Sequence, residues 1–237
     1  MLSKNKLLNI LTILSIVLFF GVFAMVLFYA PIEVNMGLVQ KVFYFHMASA
    51  WIGMLAFLVA AVAGVLYLVR RNPRSDYLGA SSVEIGLVFT AVANFSGMIW
   101  AKPIWNTWWT WDPRLTTMTI MAFTYIAYLL LRRAMDDPAR RAQFGAIYAI
   151  VGFATVPLTF FSSRLMRTIH PTIFGSGETD MAMNAPMYQT MAAAVVMFTL
   201  LFAVILWHRV RLMAARQHLA GLQAARDEAF DGGGQHA

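Results

Sequence analysis

Two histidines and a dense group of tryptophans carry the chemistry in this 237-residue chain. His46 lies in Phe43-Tyr-Phe-His46 and His170 in Thr168-Ile-His-Pro171. Between them Trp100, Trp105, Trp108, Trp109 and Trp111 crowd a twelve-residue window that closes on Asp112-Pro-Arg-Leu-Thr116. Two imidazoles with no third and no thiolate make a poor zinc site, yet they suit the two axial positions of a haem iron. The indole faces need an apolar partner, and each N–H wants a polar one. Such a cluster fits a membrane–water interface, where Trp is enriched, or a flat platform for a planar ligand. The choice depends on where the window sits relative to a membrane.

The elements that must position these residues are membrane helices. Apolar residues make up 60% of the chain and charged ones only 12%. The charges bound six charge-free runs, Leu7–Ile32, Val42–Val69, Ile85–Ala101, Leu115–Leu131, Ala142–Ser163 and Met181–His208. Each is long enough, or nearly so, for the roughly 20 residues that cross a hydrocarbon core. The pattern predicts an all-α, polytopic protein with six transmembrane helices, at about 7–30, 43–69, 82–101, 114–131, 142–162 and 186–208. A single membrane domain spans 1–237, and residues 212–237 form a tail. The first run follows Lys4 and Lys6, as a signal peptide would, but its length and the lack of a small-residue cleavage site make it a retained helix.

Basic residues set the orientation. Lys41, Lys102, Arg114, Arg164 and Arg167 fall on one side, and the other thirteen of the eighteen on the opposite side. Positive-inside bias then puts both termini in the cytoplasm and the Trp window outside. The net charge of +7 reflects this topology and gives no reason to invoke nucleic acid. The chain has no cysteine, so it makes no disulfide and no thioether to a cofactor,.

His46 falls near the start of the second helix, where an ionisable group is costly and reads as functional. His170 precedes a proline, which biases its backbone towards an extended form. For each, the blander alternative is a polar residue at the interface. His208, His218 and His236 lie at or beyond the inner end of the last helix. Trp105, Trp108 and Trp109 follow helical i, i+3, i+4 spacing, with Trp111 extending that face. This predicts a short amphipathic helix on the membrane surface. Asp112-Pro113 then starts the fourth helix, with Asp112 as N-cap; a ligand role for Asp112 stands beside capping. Arg114 is either an interfacial charge or a salt-bridge partner for a ligand carboxylate. Glu84 reads as a snorkelling interface charge, the alternative being part of an entry path.

The segment Trp100-Ala-Lys-Pro-Ile-Trp-Asn-Thr-Trp-Trp-Thr-Trp-Asp-Pro-Arg-Leu-Thr116 resembles the tryptophan-rich WWD signature of haem-handling proteins in cytochrome c biogenesis. With six helices and one histidine on either side of the motif, the chain is similar to the cytochrome c maturation C family (CcmC) over about residues 5–215. It departs from the family pattern at Ala101 and Asn106, where glycine is usual, at Met47-Ala48, and at Met166.

The resemblance implies haem b as a transient cargo at the periplasmic face of a bacterial inner membrane. His46 and His170 would be axial ligands, and Trp105, Trp108, Trp109, Trp111, Asp112 and Arg114 would lie against the porphyrin. It implies delivery to the haem chaperone CcmE, beside the small subunit CcmD and the ABC transporter CcmA–CcmB, which supplies the energy. The protein itself would not be an enzyme, and its remaining partner is membrane lipid. Other readings are a short cytochrome c synthetase-type protein with the same motif, a small-solute transporter, and a cytochrome b-like electron carrier. Against transport, the six runs hold little midplane polarity beyond Asn94, Ser96 and hydroxyl residues. Against a cytochrome b, His170 falls in a loop.

Overall fold

A computed structural model of the chain describes residues 2–168, 170 and 183–233. Helix α1 (Leu2–Ala24) runs into one π-helical turn (Met25–Tyr29). It is followed by α2 (Gln40–Arg70), α3 (Pro73–Trp105), α4 (Pro113–Arg133), α5 (Pro138–Gly152), α6 (Thr155–Leu165) and α7 (Ala185–Gly233). The α5–α6 pair is a single span from Pro138 to Leu165, so six helical segments are long and apolar enough to cross a membrane. The protein is a multi-pass, all-helical membrane protein, with no β-strand among the described residues. The helices extend well past the charge-free runs: α3 begins at Pro73 and α7 continues to Gly233. Charges at helix ends are no barrier to helical backbone, since long side chains carry them into the polar zone.

Three helices start in the same local way. Asn72, Asp112 and Asp137 each cap a helix by accepting a backbone N–H from Arg74, Leu115 and Ala139, at 3.0, 2.9 and 3.0 Å. A proline follows each cap, where its missing N–H costs nothing. These caps fix where α3, α4 and α5 begin, and Asp112 thereby becomes a rigid point on the Trp-bearing side.

Helix α2 is the central post of the bundle. Its small residues let neighbours approach closely, the usual basis of helix association in lipid. A Cβ at Gly64 would stand 2.8 Å from the Ala146 carbonyl of α5, so no larger residue fits there. One core joins Tyr44, Ile52 and Ala56 of α2 to Val26, Phe89 of α3 and Met197 and Phe202 of α7. A second core joins Phe57, Val83, Met121, Tyr125 and Tyr128. At its centre Phe57 and Tyr125 stack, with ring centroids 3.6 Å apart and planes 2° from parallel.

On the side away from the tryptophans, two ion pairs cross the bundle. Arg132 is only 9% exposed and binds Asp76 through two bonds of 2.5 and 2.9 Å. Glu84 accepts from Arg209 Nε at 2.7 Å. For Glu84, expected to be a snorkelling interface charge or part of an entry path, the structure adds a partner. It is the anionic half of an α3–α7 pair, which its partner's distance in sequence concealed. His208 is also partnered, with Nε2 3.1 Å from the Thr12 hydroxyl.

The short surface helix expected at Trp105–Trp111 does not form. Helix α3 carries on through Trp105 and stops at Asn106, whose backbone is left-handed at φ 53°. Lys102 Nζ holds that end by donating to the Asn106 carbonyl and side-chain oxygens, at 3.1 and 3.2 Å. Residues 107–112 then cross to α4 without helix, pinned by the Thr107 hydroxyl donating to the Trp109 carbonyl at 2.9 Å. Asn tolerates left-handed backbone better than most residues, which makes it an effective stop.

Candidate functional site

His46 is placed by α2 and fixed by α3. Its Nδ1 lies 2.9 Å from the Ala93 carbonyl and 3.4 Å from the Ser96 hydroxyl. The carbonyl can only accept, so Nδ1 carries the proton and the Nε2 lone pair is left for a metal. Gly97 lies under the ring, and a Cβ there would stand 2.9 Å from His46 Cε1. The ring lies nearly parallel to Trp100, 11° between planes with centroids 6.5 Å apart.

His170 is fixed by different means. Its Nδ1 donates to Asp112 Oδ2 at 2.7 Å, and its backbone N–H donates to the Thr168 hydroxyl at 3.1 Å. Thr168 in turn donates to the same carboxylate oxygen at 2.5 Å. Burial would raise the Asp112 carboxyl, but the Leu115 N–H, the Thr168 hydroxyl and His170 outweigh it and hold it below its ordinary range. For His170 burial dominates and pulls the imidazole below its ordinary value, although Asp112 and its hydrogen bond oppose this. The pair at neutral pH is therefore a carboxylate and a neutral imidazole protonated at Nδ1. Again Nε2 is left with its lone pair. A ligating histidine that donates its other N–H to a carboxylate or carbonyl is the usual outer-shell arrangement of metal sites.

The tryptophans link the two imidazoles. Trp100 meets Trp105 edge-to-face at 5.0 Å, and Trp105 meets His170 at 5.2 Å. Both histidines line the same two small cavities, of about 60 and 40 Å³. Arg114 and Met118 wall the first, and Trp105, Trp108 and Trp109 wall the second. Arg114 Nη1 donates to Ser163 at 3.3 Å. Of the expected site residues, Trp105, Trp109, Asp112 and Arg114 gather here with the two histidines. Trp108 lines the second cavity but is 57% exposed, and Trp111 is 72% exposed, touching the group only edge-on through Trp109. Trp100, 3% exposed, sits at the centre instead. Thr168, Ser163 and Gly97 join the site without any signal in the sequence that points to them.

Buried polar atoms without protein partners gather around this space. The indole N–H groups of Trp100 and Trp109, the Asn94 side-chain oxygen and the Thr110 hydroxyl all belong to residues lining the second cavity. Buried polar groups are ordinarily paired, and each exception calls for a reason. Their residues line the same cavity as His46 and His170. The donor set fits a planar, metal-bearing ligand with polar edges. The space does not yet fit one, since small-molecule pockets usually span about 300–1,000 Å³.

The profile of the family described as heme exporter protein C matches residues 1–225. The chain belongs to the heme exporter protein C family. Its relatives include the heme exporter protein C of Bradyrhizobium diazoefficiens, 32% identical over 198 residues, which are 82% of this chain and 74% of that protein. The Paracoccus denitrificans protein of the same name is 30% identical over 85% of this chain and 84% of its own length. That of Escherichia coli K12 is 29% identical over 77% of this chain and 74% of its own. The family match includes both histidines and the whole tryptophan segment, so the site lies within the part of the chain that family membership covers.

Proposed function

We propose that this protein holds haem b as a transient cargo between His46 and His170 and passes it on within the cytochrome c maturation system. The single observation that carries this reading is the matched pair of histidines. Each gives its Nδ1–H to a fixed acceptor, Ala93 or Asp112, and each turns towards the same tryptophan-walled space. Names of the relatives support the cargo, because each is called a heme exporter protein. Tryptophan faces supply stacking area, and Arg114 supplies a cation for a propionate.

In this reading the site faces the periplasm of a bacterial inner membrane, with both termini in the cytoplasm, as the basic-residue asymmetry supports. The recipient is the haem chaperone CcmE, and the working complex includes CcmD and the ABC transporter CcmA–CcmB. The chain does no bond-making chemistry of its own. It binds, orients and releases, and energy comes from the ATPase.

The test is spectroscopic. Two neutral nitrogen ligands give a six-coordinate, low-spin haem. Purified wild-type protein should show it, His46→Ala and His170→Ala should lose haem or turn high-spin, and imidazole should restore part of the signal. His208→Ala, paired to Thr12 at the far side, is the control. Wild-type spectra from both site variants would overturn the ligand assignment.

A further inference from the structure

Three directions approach the cavity between the histidines, and among the described residues they differ in what lines them. From the far side, its floor is Met121, which is packed into the core behind the Phe57–Tyr125 stack. The large cavity of about 1,110 Å³ at that far side, walled by Asp76, Arg132 and Glu84, ends below this core. On the Trp-bearing side, Trp100, Trp105 and Trp109 line the second of the two cavities. The third direction is sideways. Helix α6 packs against α4 while α7 packs against α1, α2 and α3, and a groove of about 500 Å³ remains between α2, α6 and α7.

This groove adjoins the cavity and shares a wall with it. Met47, Ala50, Met54, Arg114 and Phe160 line both. Its walls are mostly apolar, with Trp51, Ala192 and Val196 on an exposed face of the helices. Charge enters only near the Trp-bearing end, where Arg114 and Arg164 also line it. An apolar slot with arginine at one end complements an amphiphile with an apolar plate and carboxylates at one edge. An acyl chain would use the slot but leave no reason for a wall shared with the cavity that both histidines line.

We infer that the α2–α6–α7 groove is a lateral port through which haem passes from the bilayer to the seat between His46 and His170. The inference rests on the haem reading above. Arg114, lining both compartments and held by Ser163, positions the carboxylate edge during passage. Flexible methionine side chains suit a passage that must open and close around a rigid plate.

The experiment uses the full-length protein in phosphatidylcholine vesicles, with ferric haem supplied in the lipid, and follows the growth of the low-spin spectrum. Ala192→Trp and Val196→Trp narrow the groove at exposed positions, where the fold tolerates bulk. Val62→Trp, on the exposed face of α2 away from the groove, is the control. Loading should slow by roughly tenfold in the groove variants, an added barrier of about 1.4 kcal/mol. The final spectrum should equal that of the wild type, and Val62→Trp should load at the wild-type rate. Groove variants that load as fast as wild type, or a Val62→Trp protein that slows equally, would overturn the port. A shifted end-point spectrum in Ala192→Trp would make the groove part of the seat and overturn it too. A wild-type protein that never turns low-spin defeats the ligand assignment itself, and the port with it.

Discussion

Asp112 and His170 form the hinge of the site: one carboxylate oxygen takes the imidazole Nδ1–H at 2.7 Å, while the other caps α4 through the Leu115 N–H. One side chain thus both caps α4 and fixes the His170 ring. Because α4 starts at this carboxylate, His170 is referenced directly to a membrane helix.

Asp112→Asn separates the two roles. The amide oxygen still caps α4, but the anion that orients His170 is gone. Loss of an outer-shell partner typically costs about 10–100-fold in metal affinity. Haem titration should show a loss of that order, with thermal stability nearly preserved. Asp112→Ala should add the loss of the cap, about 1 kcal/mol. Wild-type haem affinity in the Asn variant would remove the orienting role.

Acid should release the ligand late. His170 has a pKa below its ordinary value in the folded protein, so the native state binds its proton less readily than the unfolded chain does. Its contribution to stability is present above the ordinary histidine value and is lost as pH falls through the lowered one. Asp112, also lowered, behaves in the same sense in the more acidic carboxylate range. The low-spin spectrum should therefore persist below about pH 6.5, the unperturbed histidine value, and give way to high spin under further acidification. A transition centred above that value would contradict the assignment.

Gly97 is a fit test for His46. An added methyl would lie 2.9 Å from the ring, so Gly97→Ala forces the ring or α3 to shift and disturbs the Ala93 bond. Overpacking of this kind costs about 1–3 kcal/mol. The expected outcome is weakened haem retention with a spectrum shifted towards high spin. An unchanged spectrum in stable Gly97→Ala protein would show that the ring's placement does not matter.

The tryptophans should not be equivalent. Trp109 lines the cavity and Trp111 faces outward, so Trp109→Ala should remove stacking worth on the order of 1–3 kcal/mol. Trp111→Ala should retain haem in the purified protein. If Trp111 proves the more costly of the two in haem titration, the cavity described here is not the seat.

Topology has its own check. Single cysteines introduced at Asn106 and Ala139 into this cysteine-free chain should label from opposite sides of the membrane. Labelling from one side would break the assignment of the Trp segment to the periplasm.

Much of this protein is determined locally and can be read directly. Six apolar runs become helices because backbone groups in lipid must satisfy themselves within the segment. The Asn72-Pro73, Asp112-Pro113 and Asp137-Pro138 pairs start helices because cap and proline act within a few residues. Tertiary structure decided the rest. Helical spacing at Trp105–Trp111 pointed to a surface helix, but Asn106 turned left-handed and Lys102 held the turn, so Trp100 came to the centre and Trp111 faced out. Glu84 met Arg209 across 125 positions, and Asp112 met His170 across 58. No local preference encodes such pairs, because they exist only after helices have packed. Gly97 shows the same limit: its empty side chain acquires meaning only when α2 brings His46 against it.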